Sequence, residues 1–248
     1  MKFLFLGTGA SAGVPVVGCK CDVCKGGDFK NNRLRASGLL TCDNLKFLLD
    51  VSPDIRFVAL KYDITHLNGV FLTHPHEDHI GGMNDLRSYS FLNQNKLIPL
   101  VLSETTNDVL NMRFGYLLDR FDRIVLTKKR GHLSVDGVDA IYFTYSQQNV
   151  LVNGFRFGKF AYLTDIKDYD DSIFDDLDGV ETLVLGAINE SESRMHFSIN
   201  EACAFKEKIT SVKRCYLTHL SHEVDYETIS KTLPNGVLLA YDGLEIDV

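Results

Sequence analysis

Residues 73–82 read Thr73-His74-Pro75-His76-Glu77-Asp78-His79-Ile80-Gly81-Gly82, with four metal-ligand side chains inside six positions. A strand-to-helix turn here can aim His74 and His76 at one cation and Asp78 and His79 at a second close by. Imidazole suits zinc, iron or manganese, and carboxylate adds hard-oxygen character. Two other runs end in the same way as Val70-Phe71-Leu72-Thr73-His74. They are Ala161-Tyr162-Leu163-Thr164-Asp165 and Cys215-Tyr216-Leu217-Thr218-His219. Each is an apolar run, a threonine, then a donor, and α/β sheets place their sites at such carboxyl ends. Near the start, Cys19, Cys21 and Cys24 crowd together. Three thiols are one short of a tetrahedral zinc site and one more than a disulfide needs.

These donors need elements to hold them. Flanking Gly, Asn and Asp, with β-branched and aromatic content, predict strands at 2–6, 37–41, 45–49, 69–73, 99–102, 123–126, 138–145, 151–157, 160–164, 181–186, 213–218, 236–241 and 243–247. Helix starts are read at Ser52-Pro53-Asp54, at the capping box Ser198-Ile199-Asn200-Glu201, and at Asp225 ahead of 226–233, with another helix over about 104–113. The stretch 83–122 reads as the least regular. Both halves run from strands to helices, which predicts an α/β layered architecture.

The HxHxDH pattern, taken with Gly7-Thr8-Gly9-Ala10, the cysteine triplet, Asp85-Leu86-Arg87, Leu163-Thr164-Asp165, His196-Phe197-Ser198 and Thr218-His219-Leu220-Ser221-His222, resembles the metallo-β-lactamase superfamily. The match runs nearly end to end. It is most similar to the branch of the phosphonate-pathway cyclic phosphodiesterase, related to the transfer-RNA 3′-processing endonucleases. The resemblance implies a four-layer αβ/βα sandwich, two mixed sheets face to face with helices outside, over a single domain 1–248. It implies one catalytic cation on His74 and His76, a second on Asp78, His79 and His219, and Asp165 bridging them. Zinc or manganese is the expected ion, and Asp78 and His196 are the expected catalytic pair. His196 precedes a helix start, where an anion is favoured and a proton can be given to a leaving alkoxide. The resemblance also supplies a fourth partner for the thiols. Cys19, Cys21, Cys24 and His222 would hold a structural zinc.

The sequence departs from the pattern in two places. The first cation's third histidine falls at Gln147 or Gln148, within Tyr145-Ser146-Gln147-Gln148-Asn149. Amide oxygen is a weaker, harder ligand than imidazole, so that ion is expected to bind less tightly, to favour manganese, or to be missing. Gly186 stands where relatives often carry an aspartate. Arg35 and Arg87 are candidates for gripping a phosphate, or are structural ion-pair partners. His66 and His132 fit no pattern.

Net charge is −7, with 26 Lys+Arg against 33 Asp+Glu, which argues against non-specific nucleic-acid binding. No apolar run reaches the length of a membrane span. The start, Met1-Lys2-Phe3-Leu4-Phe5-Leu6, is too short an apolar stretch for a signal-peptide core. A cytoplasmic setting with reduced thiols is therefore expected, and Cys42, Cys203 and Cys215 read as core residues. The expected function is hydrolysis of a phosphodiester, such as a small cyclic phosphate, by a metal-bound hydroxide. The alternatives are a degenerate member that binds a phosphorylated ligand or partner, and a transfer-RNA processing nuclease. A homodimer would match the resembling enzymes.

Overall fold

The computed structural model describes residues 1–92 and 96–248. Its first strands are β1 (Lys2–Gly7), β2 (Ser37–Cys42), β3 (Leu45–Leu49), β4 (Gly69–Phe71), β5 (Ile98–Ser103) and β6 (Phe121–Leu126). They are followed by β7 (Arg130–Val135), β8 (Val138–Gln147), β9 (Val150–Phe157), β10 (Phe160–Leu163), β11 (Thr182–Gly186), β12 (Arg214–Thr218), β13 (Val237–Leu239) and β14 (Glu245–Asp247). Two seven-stranded sheets result, ordered β14-β1-β2-β3-β4-β5-β6 and β13-β12-β11-β10-β9-β8-β7. Each joins an antiparallel part to a parallel one, β3 to β6 in the first sheet and β10 to β13 in the second.

Side-chain alternation explains the layers. In β1, Phe3 and Phe5 point between the sheets, and Leu6 points to the helices. In β10, Phe160 and Tyr162 point between the sheets, and Ala161 and Leu163 point outward. Strands covered on both faces must be apolar on both. The inter-sheet layer is aromatic. Phe71 meets Phe155 and Phe157 edge-on at 5.2 and 5.1 Å between ring centroids. Helices Ile55–Lys61, Met83–Leu92 and Glu104–Phe114 cover the first sheet, and Ile199–Glu207 and Tyr226–Ser230 cover the second. This is the four-layer αβ/βα sandwich.

Several local expectations need correction. The stretch 83–122 is regular where described, made of helix Met83–Leu92, β5, helix Glu104–Phe114, a 3₁₀ segment and β6. Its helix Met83–Leu92 buries only Met83, Leu86 and Ser90, so its apolar signal is sparse. Residues 93–95 of that stretch lie outside the described residues. Strand β7 was not expected, because an edge strand that exposes Arg130 and Ser134 has little apolar pattern. The helix after Asp225 stops at Ser230 rather than 233, since Pro234 disfavours helix in the residues before it. Asp54, not Ser52, is the N-cap of Ile55–Lys61, and the Ser52 hydroxyl accepts from the Asp54 N–H at 3.3 Å.

Candidate metal centre

The parallel strands of both sheets point their carboxyl ends to the same edge. Asp50 follows β3, Thr73-His74 follows β4, Thr164-Asp165 follows β10, and His219 follows β12. Asp50, Asp165 and His219 all turn through left-handed backbone, with φ of 63°, 52° and 61°. Such φ values are uncommon outside glycine and are favoured by Asp, Asn and His. They swing each side chain off its strand and over the sheet edge.

The chain brings Asp78, His79, His219 and Asp165 together. Asp78 Oδ2 lies 3.3 Å from both His79 Nε2 and His219 Nε2. Asp165 lies 3.2 Å from His79 Nε2 through Oδ2 and 3.4 Å from His219 Nε2 through Oδ1. His79 Nε2 is buried yet makes no hydrogen bond to either carboxylate. A cation bound to nitrogen and oxygen at about 2.0–2.1 Å sets its tetrahedral ligands roughly 3.3–3.4 Å apart. Asp78, His79 and His219 therefore fit one ion, and Asp165 lies beside it, facing His79 with one oxygen and His219 with the other.

Electrostatics follow from crowding. Burial alone would lower the pKa of His79, but Asp50, Asp165 and Asp78 hold it well above the usual range. Burial opposes ionisation of Asp165 and Asp78, and the facing histidines overcome it, so both stay well below the usual carboxylate range. Burial and the charge of His219 push His196 down to about 4. Its ring lies against His219, 4.8 Å between centroids, with Nδ1 3.3 Å from Asp165 Oδ1.

His74 and His76 sit beside this group, with His74 Nε2 2.9 Å from His76 Nδ1. His74 also shares a donor cluster with His79 and Asp165. Gln147 is buried beside Asp165 and His196. Its Nε2 donates to Asp165 Oδ1 at 3.0 Å and lies 3.1 Å from His196 Nε2, while its Oε1 has no partner. Gln148 is turned away, toward the Arg194 carbonyl.

Sequence reasoning missed Asp50. It is fully buried, and its Oδ2 is 2.7 Å from His79 Nδ1. Its Oδ1 accepts from the Thr73 N–H at 2.8 Å. The only sequence signal was an apolar strand, Phe47-Leu48-Leu49, that ends in an acid. Gly186 is explained differently from the expectation that an acid has been lost. A Cβ there would stand 2.8 Å from the Asp165 backbone nitrogen, so glycine lets β11 pass under the turn that aims Asp165.

The second constellation lies on the neighbouring loop. Cys19, Cys21 and Cys24 place their sulfurs 3.3, 3.6 and 3.7 Å from His222 Nδ1. A zinc with sulfur at about 2.3 Å and nitrogen at about 2.0 Å gives roughly 3.5 Å for such an edge. Backbone N–H groups of Cys21, Cys24 and Val16 point at the three sulfurs. The Cys24 N–H above all lowers the Cys21 thiol to about 6. Beside it, buried Arg33, also missed from sequence, donates to the carbonyls of Ser221 at 3.0 Å and Val224 at 2.8 Å, on either side of His222. Leu220 pairs with Thr8 and Ala10 through the backbone, which gives the Gly7-Thr8-Gly9-Ala10 motif its work. That motif and the cysteine loop together fix the loop that carries His219.

Of the phosphate candidates, Arg35 is engaged by a carboxylate and Arg87 is a surface residue. Arg35 forks onto Asp54 at 3.0 and 3.2 Å and binds the Ser11 carbonyl. Arg87 is exposed on helix Met83–Leu92. His66 lies against the Asn44 carbonyl, and His132 sits on edge strand β7. Cys42 and Cys215 are buried core residues, and Cys203 packs against the core half-buried. Among the described residues no helix is long and apolar enough to cross a membrane.

The chain and its fold have relatives among known proteins. Residues 46–220 match the family described as the beta-lactamase superfamily domain. A solved diphosphatase of the PhnP family is 31% identical, superposes with a TM-score of 0.94, and is matched over 100% of this chain and 97% of that one. Human tRNase Z, short form, superposes with a TM-score of 0.71 at 19% identity, covering 100% of this chain and 99% of that one. An octanoyltransferase of Porphyromonas gingivalis is 29% identical over 99% of this chain but 51% of its own length. The chain thus spans about half of that curated relative.

Proposed function

Because the chain belongs to the β-lactamase superfamily and, within it, to the PhnP family, we propose that it is a metal-dependent hydrolase of a small phosphodiester. The carrying observation is the set Asp78, His79 and His219, spaced as ligands of one cation, with Asp165 facing both histidines. A divalent cation held there supplies positive charge for the phosphoryl oxygens and makes a nearby water more acidic. Zinc and manganese both suit this nitrogen and oxygen set, and zinc suits Cys19, Cys21, Cys24 and His222.

The chain's own residues do the rest. Asp50 holds the His79 ring by Nδ1, so that Nε2 is the nitrogen left to face the centre, where a bound cation would take the place of its proton. His196 stands at the rim, neutral near pH 7. It is placed to donate a hydrogen bond to the leaving oxygen or to take up a proton. The sheet edge and the cysteine loop keep Asp165 and His219 in place, so little reorganisation is needed as charge develops.

The similarity to a diphosphatase makes a phosphoanhydride the nearest competing bond. The match to half of an octanoyltransferase favours a second reading, hydrolysis of an octanoyl-bearing substrate beside an acyl-transfer step. The test is one panel assayed with manganese- and zinc-loaded protein: cyclic and linear phosphodiesters, diphosphates and octanoyl thioesters. The expected result is turnover of a phosphodiester that is lost in Asp78→Asn. If only diphosphates or octanoyl thioesters turn over, the substrate class is wrong. If nothing exceeds the Asp78→Asn background, the hydrolase reading fails.

A further inference from the structure

We propose that Gln147 is a positioning residue that closes the first cation position, leaving a catalytic centre that holds one ion tightly. This rests on the metal-hydrolase reading above and makes it more specific.

A carboxylate that bridges two ions must offer a lone pair to each. Asp165 has few to spare. Its Oδ2 accepts from the Thr164 hydroxyl at 2.7 Å and faces His79. Its Oδ1 faces His219 and accepts from Gln147 Nε2 at 3.0 Å. The amide hydrogen of Gln147 therefore occupies a lone pair of Asp165 Oδ1, the oxygen that also faces His219. Histidine at this position would present a lone pair to an ion, whereas the amide presents a proton. The opposite amide orientation would set Oε1 against Asp165 Oδ1. Two acceptors at that distance repel unless a cation lies between them. Without the amide oxygen, and with both Asp165 oxygens already engaged, His74 and His76 are the donors left to this position among the described residues, and two imidazoles make an incomplete set for zinc. Gln147 is itself 2% exposed, so its amide is held against Asp165 rather than turned out to solvent. The same Nε2 lies within 3.2 Å of both His196 ring nitrogens, so the amide also steadies the ring placed for proton transfer.

The test is retained metal per chain, by elemental analysis, after manganese or zinc loading and dialysis against metal-free buffer. It compares the natural protein, Gln147→His, Gln147→Leu and, as a count of the thiol site alone, Asp78→Asn with Asp165→Asn. Cobalt(II) absorption separates thiolate-bound from nitrogen- and oxygen-bound ions. The inference expects two ions in the natural protein, one at the thiols and one at the Asp78 set. It expects three in Gln147→His and still two in Gln147→Leu, because a group that is not a ligand takes no ion away with it. Three ions in the natural protein, falling to two in Gln147→Leu, would overturn the inference and leave the hydrolase reading standing. One ion in the natural protein and in Gln147→His alike would overturn both. Thermal melting of each variant shows that a lost ion is not a lost fold.

Discussion

Asp50 shows how one buried residue sets the chemistry of another. Its Oδ1 takes the Thr73 N–H, so its orientation is fixed, and its Oδ2 is left to take Nδ1–H of His79. In Asp50→Asn the oxygen would stay with Thr73 and the NH₂ would face His79. The ring would then carry its proton on Nε2, where a lone pair is needed. The expected outcome is a 10- to 100-fold or so loss of cation affinity at the Asp78 set, with the thiol site unaffected, measured by chelator competition. The donors were legible in the sequence because the HxHxDH run and the strand-end threonines gather ligands densely. Asp50 was not, because an acid after an apolar strand is common and its partner lies 29 positions away. Arg33 was hidden for the same reason, its partners being backbone carbonyls at Ser221 and Val224.

At the scale of elements, the centre depends on loops held from behind. The cysteine loop and Arg33 grip the segment around His222, and the strand-one loop grips Leu220. Metal binding to Cys19, Cys21, Cys24 and His222 then adds to folding stability directly. Cys24→Ser is expected to lose one bound ion per chain and to lower Tm by roughly 5–10 °C, seen by elemental analysis and calorimetry. An unchanged Tm would show that this loop holds itself. Gly186→Ala tests the other side of the site. The added methyl would meet the Asp165 backbone, and overpacking of this kind costs about 1–3 kcal/mol. Denaturant unfolding measures that cost, and metal retention should fall with it. Strand positions were legible where both faces are apolar, as in β3, β10 and β12. Edge strand β7 and helix Met83–Leu92 were not, because their buried sides are narrow.

For the whole molecule, stability joins an aromatic layer between the sheets to a polar seam where the two ends of the chain meet. Truncating the layer at Phe71→Ala should cost about 3–5 kcal/mol in denaturant unfolding, since its ring meets Phe47, Phe155 and Phe157. The seam has a pH dependence of its own. Asp242 accepts from the Thr8 hydroxyl and the Leu34 N–H, both at 2.7 Å. Burial, opposed by those hydrogen bonds, raises its carboxyl to about 6. The native state therefore keeps a proton that the unfolded chain releases near pH 4. Its stabilising share is complete below about pH 4, shrinks as pH rises, and is gone above about pH 6. Solvent reaches part of the side chain, so the share is about 1–2 kcal/mol. Asp242→Asn lacks the titration. The stability of the natural protein relative to Asp242→Asn should thus fall between pH 4 and pH 7, measured by urea unfolding at fixed ionic strength. A difference that stays flat or rises over that range would mean that the seam carries Asp242 ionised throughout. The hydrogen bonds from Thr8 and Leu34 would then be made to a carboxylate, with the charge of Arg33 adding to them.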